Sequence, residues 1–164
     1  MTGRMWNFVF FIAKYLSCKK ICEIPTSELD GYFQSAFDGD VSSIEKYLSA
    51  GRGPNDSMPD GRTVLHLAVE GGVLVAIKLL LERGALVNSK GFNGYTALHI
   101  AVHNSLDQVV QENIDPNKLD ADVVKLLLQA GADIHVKDGD GKSAIEIAEI
   151  YNSEKMVALL ESLA

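Results

Sequence analysis

Gly61-Arg-Thr-Val-Leu-His-Leu-Ala68 and Gly94-Tyr-Thr-Ala-Leu-His-Ile-Ala101 are near-copies set 33 residues apart. Glycines further along keep the register, since Gly51 and Gly84 are also 33 residues apart. A fixed period of this length marks a stacked repeat, in which each unit buries its apolar face only against its neighbours. Such an architecture points to binding through a surface rather than to catalysis.

Within one period, from Thr63 to Gly84, two helical patterns face each other. Leu65, Leu67, Ala68 and Val69 form a short first pattern, and Leu74, Ile77, Leu80 and Leu81 form a second at helical spacing. Gly71-Gly72 predicts the tight turn between them, and Gly84 predicts a glycine stop to the second helix. Ala85-Leu-Val-Asn88 reads as a short extended stretch, and Gly91-Phe-Asn-Gly94 as the tip of a projecting finger.

These residues resemble the ankyrin repeat family. Gly-x-Thr-x-Leu-His-x-Ala stands at 61–68 and 94–101, and Leu-Leu-Leu-x-x-Gly-Ala at 79–85 and 126–132. The resemblance implies an all-α solenoid of about four helix-turn-helix repeats with short β-hairpin-like fingers, lining a concave binding face. We divide the chain into an N-terminal apolar and basic helix at 1–26 and a repeat domain at 27–164. The repeats fall at about 27–60, 61–93, 94–140 and 141–164. The first is degenerate, keeping Ala36-Phe-Asp-Gly-Asp40 as its turn. The fourth replaces threonine with Ser143 and histidine with Glu146. The third is longer, because Gly94 and Gly141 are 47 residues apart, 14 more than the period. The insertion is expected near 105–118. Leu106, Val109, Val110 and Ile114 would lengthen the first helix by roughly two turns, and Asp115-Pro116 would break it.

Charge narrows the partner. The first 27 residues hold Arg4, Lys14, Lys19 and Lys20 against Glu23, so the rest of the chain carries 21 of the 22 acidic residues and 11 of the 15 basic ones. An acidic body argues against nucleic acid, whose phosphates need clustered lysine and arginine. Cys18 and Cys22 frame no disulfide scaffold, and no second Cys or His pair completes a four-ligand zinc set. A reducing, cytoplasmic setting is the default, with secretion into a host cell as an alternative. Neither a metal nor a cofactor is expected. Gly139-Asp-Gly-Lys-Ser143 lacks the glycine spacing of a phosphate loop.

No acid, base or nucleophile cluster accompanies His66 or His99, so the chain is not expected to be an enzyme. The resemblance implies that these histidines are structural, bonded to Thr63 and Thr96 and nearby backbone. It implies likewise that Asn55 and Asn88 hold the finger base, where the family's asparagines can also be hydroxylated. It places the residues flanking each repeat glycine in the groove. The candidate partner-binding set is Asp60, Arg62, Glu70, Phe92, Asn93, Tyr95, His103, Asp140 and Lys142, with Phe92 and Tyr95 as aromatic hot spots. A Phe92 side chain folded back on a neighbouring finger is the competing reading.

Residues 5–16, Met-Trp-Asn-Phe-Val-Phe-Phe-Ile-Ala-Lys-Tyr-Leu, match no repeat unit. They would cap the first repeat, lie in a membrane interface through residues 5–20, or serve as a signal sequence. Twelve residues reach only about 18 Å as helix, short of a roughly 30 Å bilayer core. The expected function is an adaptor or inhibitor that holds a protein partner in the groove, most simply as a monomer. The alternative is a membrane-tethered scaffold held by the N-terminal segment.

Overall fold

A computed structural model describes residues 30–111 and 121–163. The chain divides into two units, Met1–Gly31 and Tyr32–Ala164. The expectations for residues 1–26, including a helix, a cap or an anchor there, lie outside the described residues, as does the break at Asp115-Pro116.

Among the described residues there are eight α-helices, and they follow one another in pairs. They are α1 (Gly31–Asp38), α2 (Val41–Ser49), α3 (Val64–Glu70), α4 (Leu74–Glu82), α5 (Ala97–Gln111), α6 (Asp122–Gln129), α7 (Ala144–Ile150) and α8 (Glu154–Leu163). An inner row packs α3 on α5 and α5 on α7, and an outer row packs α2 on α4, α4 on α6 and α6 on α8. Within a repeat, α3 packs on α4, α5 on α6 and α7 on α8. Leu65, Leu67, Ile77, Leu80, Leu98, Leu127, Ile147, Met156 and Leu160 fill the space between the rows and are all buried. Fully burying one such side chain contributes about 1.5–3 kcal/mol. Eight short helices are therefore held by packing rather than by their own propensity.

The helix stops are alike because their chemistry is alike. After α4, Gly84 takes a left-handed φ of 89°. Its N–H donates to the Leu81 carbonyl, and the Ala85 N–H donates to the Leu80 carbonyl. This is the paired bonding that satisfies the last carbonyls of a helix. The same pair recurs after α2 and α6. After α7 the left-handed position is filled by Asn152, at φ 53°, the non-glycine residue that accepts this conformation best.

The two turn glycines between α3 and α4 do different work. Gly72 is left-handed at φ 70° with open space around it. Gly71 has an ordinary φ of -72°, but a Cβ there would overlap the Phe37 carbonyl oxygen at the end of α1. Gly71 is thus required by the close approach of the first two turns. We expect Gly71→Ala to cost about 2 kcal/mol through backbone displacement. Gly72→Ala should cost about 1 kcal/mol, from left-handed strain alone. Urea midpoints of the two variants check the order, and a silent Gly71→Ala would show that the contact yields freely.

The fingers are hairpin-like without forming a strand among the described residues. A single antiparallel bridge joins Ser57 and Thr63, and Val87-Asn88 lies in a turn rather than in an extended stretch. Each tip is instead closed by bonds in fixed register. The N–H groups of Met58, Gly91 and Asp138 donate to the carbonyls of Arg62, Tyr95 and Lys142, each at 2.8 Å. The tip glycines Gly61, Gly94 and Gly141 are all left-handed. Neighbouring tips are joined by the Gly139 N–H donating to the Asn93 carbonyl at 2.7 Å.

The insertion lengthens the first helix of the third repeat, as the apolar spacing predicts. Helix α5 has 15 residues, where α3 and α7 have 7 each.

Candidate functional site

Helices α3 and α5 each begin with a threonine–histidine cap that also fastens the next repeat. Thr63 precedes α3, and its N–H donates to His66 Nδ1 at 3.0 Å while its hydroxyl lies 2.8 Å from the same nitrogen. His66 Nε2 lies 3.1 Å from the Tyr95 carbonyl oxygen in the following repeat. A carbonyl only accepts, so Nε2 carries the proton and Nδ1 accepts from threonine. His99 repeats the arrangement, with the Thr96 N–H at 3.2 Å, its hydroxyl at 2.8 Å and the Lys142 carbonyl at 3.1 Å. Burial is the main cause that holds both rings below the ordinary imidazole range, consistent with neutral, structural histidines.

The fourth repeat keeps only the cap. Glu146 accepts from the Ser143 N–H at 2.7 Å and from its hydroxyl at 3.0 Å. Its outer contact is an ion pair with Lys137. The hydrogen bond from Lys137, then those from Ser143, pull its carboxyl down to about 2.

Asn55 and Asn88 reach further than a finger base. The Asn55 amide donates to the Gly84 carbonyl at 3.1 Å and accepts from the Leu86 N–H at 2.7 Å. Asn88 makes the same pair with the Gly131 carbonyl at 3.1 Å and the Asp133 N–H at 2.9 Å. Both therefore lock consecutive repeats together rather than a hairpin within one.

The residue after each tip glycine is Arg62, Tyr95 or Lys142, and the first two fold back along their own helix to the residue eight further on. Arg62 places Nη1 3.0 Å from Glu70 and Nε 2.9 Å from Asp60. Its backbone N–H also donates to Asp60, at 2.9 Å. Tyr95 meets the His99 and His103 rings with centroids 5.8 Å away in both cases. Arg62 and His103 are each only 3% exposed. These two candidates thus offer little side-chain surface. Burial raises the Glu70 carboxyl, and the Arg62 charge opposes that rise.

The other candidates reach solvent in varying degree. Asn93 and Asp140 are exposed, whereas Asp60, Glu70, Phe92, Tyr95 and Lys142 are part-exposed. Phe92 and Tyr95 flank the left-handed Asn93-Gly94 pair, at φ 52° and 71°. The Lys142 backbone is held from both sides, since its N–H donates to Asp138 at 2.8 Å while its carbonyl takes the His99 bond. Sequence reasoning missed Asp107 and Tyr151. The Tyr151 hydroxyl donates to Asp107 Oδ1 at 2.9 Å, tying the extended end of α5 to the fourth repeat. The four-residue step from His103 to Asp107 puts both on one face of α5, but no local signal pointed to Tyr151. Among the described residues, no group of three or more His, Cys, Asp or Glu is placed to hold a metal ion.

Helix pairs in one register, fastened through backbone carbonyls and tipped by polar turns, define a helical repeat solenoid. The family described as ankyrin repeats (3 copies) matches residues 33–120, more than half of the chain. The chain belongs to the ankyrin repeat family. Mouse Rabankyrin-5 is 36% identical over 72 residues, 44% of this chain and 6% of that protein. An ankyrin repeat protein of fowlpox virus is 36% identical over 74 residues, 45% of this chain and 10% of that protein. The human transient receptor potential cation channel subfamily A member 1 is 29% identical over 137 residues, 81% of this chain and 11% of that protein. The chain therefore spans only a small fraction of the length of these relatives. Ankyrin repeats are in general protein–protein interaction modules, and the family is typically non-enzymatic. Among the described residues, no helix is long and apolar enough to cross a membrane.

Proposed function

We propose that this chain is a non-enzymatic binding module, an adaptor or inhibitor, that holds a segment of a partner protein along its finger tips and inner helices. The observation that carries this reading is the division of labour at the tips. Backbone bonds fix the loop at Arg62, Tyr95 and Lys142, while Phe92, Asn93, Tyr95 and Asp140 keep surface to offer. Rigid loops that display aromatic and polar side chains lower the ordering cost of association. Aromatic groups at such positions supply much of the binding energy, and charges at the rim steer and select. Asp60 and Glu70, held by buried Arg62, and Lys142 set the register of the bound segment.

The test is affinity capture from lysate followed by binding measurements with the purified partner, comparing the natural chain with a Phe92→Asp/Tyr95→Asp variant whose circular dichroism is unchanged. We expect affinity to fall at least about a hundredfold, since two hot-spot losses are involved. A partner held equally by both proteins would remove the tips from the binding surface.

A further inference from the structure

Asn93 is the only asparagine of the chain that is followed by glycine, and it is exposed at a finger tip. Such a pair can react with itself. Glycine puts no Cβ in the way of an attack by its own backbone nitrogen, and the carboxamide of the preceding asparagine lies within reach of a five-membered ring. Asn55 and Asn88 have both ends of their amides engaged with the following repeat. Among the described residues none hydrogen-bonds the Asn93 carboxamide.

The backbone of the tip opposes the reaction. Ring closure needs the Gly94 nitrogen and the Asn93 Cβ on the same side of the Asn93 Cα–C bond. At ψ 28° the L configuration sets them on opposite sides, so the peptide plane between Asn93 and Gly94 must rotate. That plane is tied at both edges. The Gly94 N–H donates to the Gly91 carbonyl at 3.0 Å, and the Asn93 carbonyl accepts from the Gly139 N–H at 2.7 Å. The neighbouring tip is also close, since a Cβ on Gly139 would overlap Asn93 Oδ1 and crowd its carbonyl oxygen. We propose that Asn93 is a site of self-driven deamidation, gated by release of the peptide plane that joins this tip to the next.

In the released tip the Gly94 nitrogen bonds to the Asn93 side-chain carbonyl carbon and gives up its proton. The C–N bond of the carboxamide breaks, and its nitrogen leaves with that proton as ammonia. Water then opens the cyclic imide at either carbonyl. One opening restores the peptide bond with aspartate at 93. The other routes the chain through the side-chain carbon as isoaspartate. Water enters, ammonia leaves, and nothing is oxidised or reduced. Both products add a carboxylate to an exposed tip. Isoaspartate also lengthens the main chain and takes the carbonyl that held Gly139 out of it, so the joint between tips is loosened. The reaction needs no partner and stands apart from the binding reading above.

The full chain is incubated at 37 °C and neutral pH, folded and in concentrated urea, and digested with trypsin at intervals. Mass spectrometry follows the conversion of amide to acid at residue 93, and electron-transfer fragmentation separates aspartate from isoaspartate. We expect both products in the folded chain, formed about ten- to a hundredfold more slowly than in urea, because two backbone bonds must open first. Gly139→Ala, which displaces the neighbouring tip and leaves the Asn93-Gly94 pair unchanged, should react at a rate between the two. The comparison of folded and unfolded chains needs no variant, and so decides the matter even if Gly139→Ala does not fold. A folded chain that keeps its amide while the urea sample reacts to completion would remove the site. Equal rates in the two samples, or a folded Gly139→Ala no faster than the natural chain, would overturn the gate.

Discussion

Replacing His99 with alanine is expected to cost about 3–5 kcal/mol and to loosen the fourth repeat before the others. The change removes the acceptor of the Thr96 N–H and hydroxyl and the donor to the Lys142 carbonyl. It also empties a fully buried site. Each orphaned buried group costs about 1–3 kcal/mol, and the cavity adds to this. Because the lost donor reaches across a repeat boundary, the effect should appear as faster amide exchange in α7 and α8, with a broadened urea transition. His99→Gln separates the two roles. A glutamine at this position of a capping box can accept from the threonine backbone, as Glu146 does for Ser143, but should not also bridge to Lys142. We expect it to recover about half of the loss. A total effect of His99→Ala below about 1 kcal/mol would mean that the bridge contributes little to holding the repeats together.

Mild acid should destabilise the repeat stack more than its acidic composition suggests. His66, His99 and His103 all titrate below the ordinary imidazole value of 6.5 in the folded protein, with burial as the first cause. A base with a depressed folded value takes its proton first in the unfolded chain. Its stabilisation is therefore whole above about pH 6.5 and is lost as the pH falls toward the folded value. For His103 that window runs from 6.5 to about 4, which corresponds to about 3 kcal/mol at most. Glu70 acts with the opposite sign. Its raised carboxyl gains a proton in the folded state first and returns some stability in acid. Glu146 loses its contribution only below its ordinary value of 4.5. Between about pH 6.5 and 5 the histidines therefore dominate. Thermal midpoints followed by circular dichroism should be level above neutrality and fall through this window, and His103→Gln should flatten the fall. A midpoint that holds steady or rises from pH 7 to 5 would contradict this account.

The fold was legible because its signals are local. Helical spacing, paired glycines and a 33-residue period each act within one repeat, and together they placed the helices of repeats two to four and the lengthening of α5. What escaped was set by contacts between or along repeats. Arg62 looked like a groove charge until its partners Asp60 and Glu70 drew it under the surface, and His103 is covered by Tyr95. Gly71 looked like a flexible turn residue, whereas its role is to let the Phe37 carbonyl approach. The fingers keep a hairpin-like form closed by tip bonds from Met58, Gly91 and Asp138, and only the bridge between Ser57 and Thr63 adds β pairing among the described residues. The first repeat lacks the histidine motif and is tied internally by contacts that nothing local in the sequence announced. There Tyr32 donates to the Gly53 carbonyl at 3.2 Å, with the Arg52 guanidinium 5.0 Å from its ring.

The bridges made by His66 and His99 end on backbone carbonyls, and every amino acid supplies one. Attachment between repeats is therefore blind to the identity of the residue it grips. At 142 the bridge needs only a peptide unit, whereas at 95 the tyrosine ring also packs on His103. Such a grip tolerates exchange of the residue it holds wherever that side chain has no packing duty of its own, so the joints of the stack constrain the sequence less than its core does.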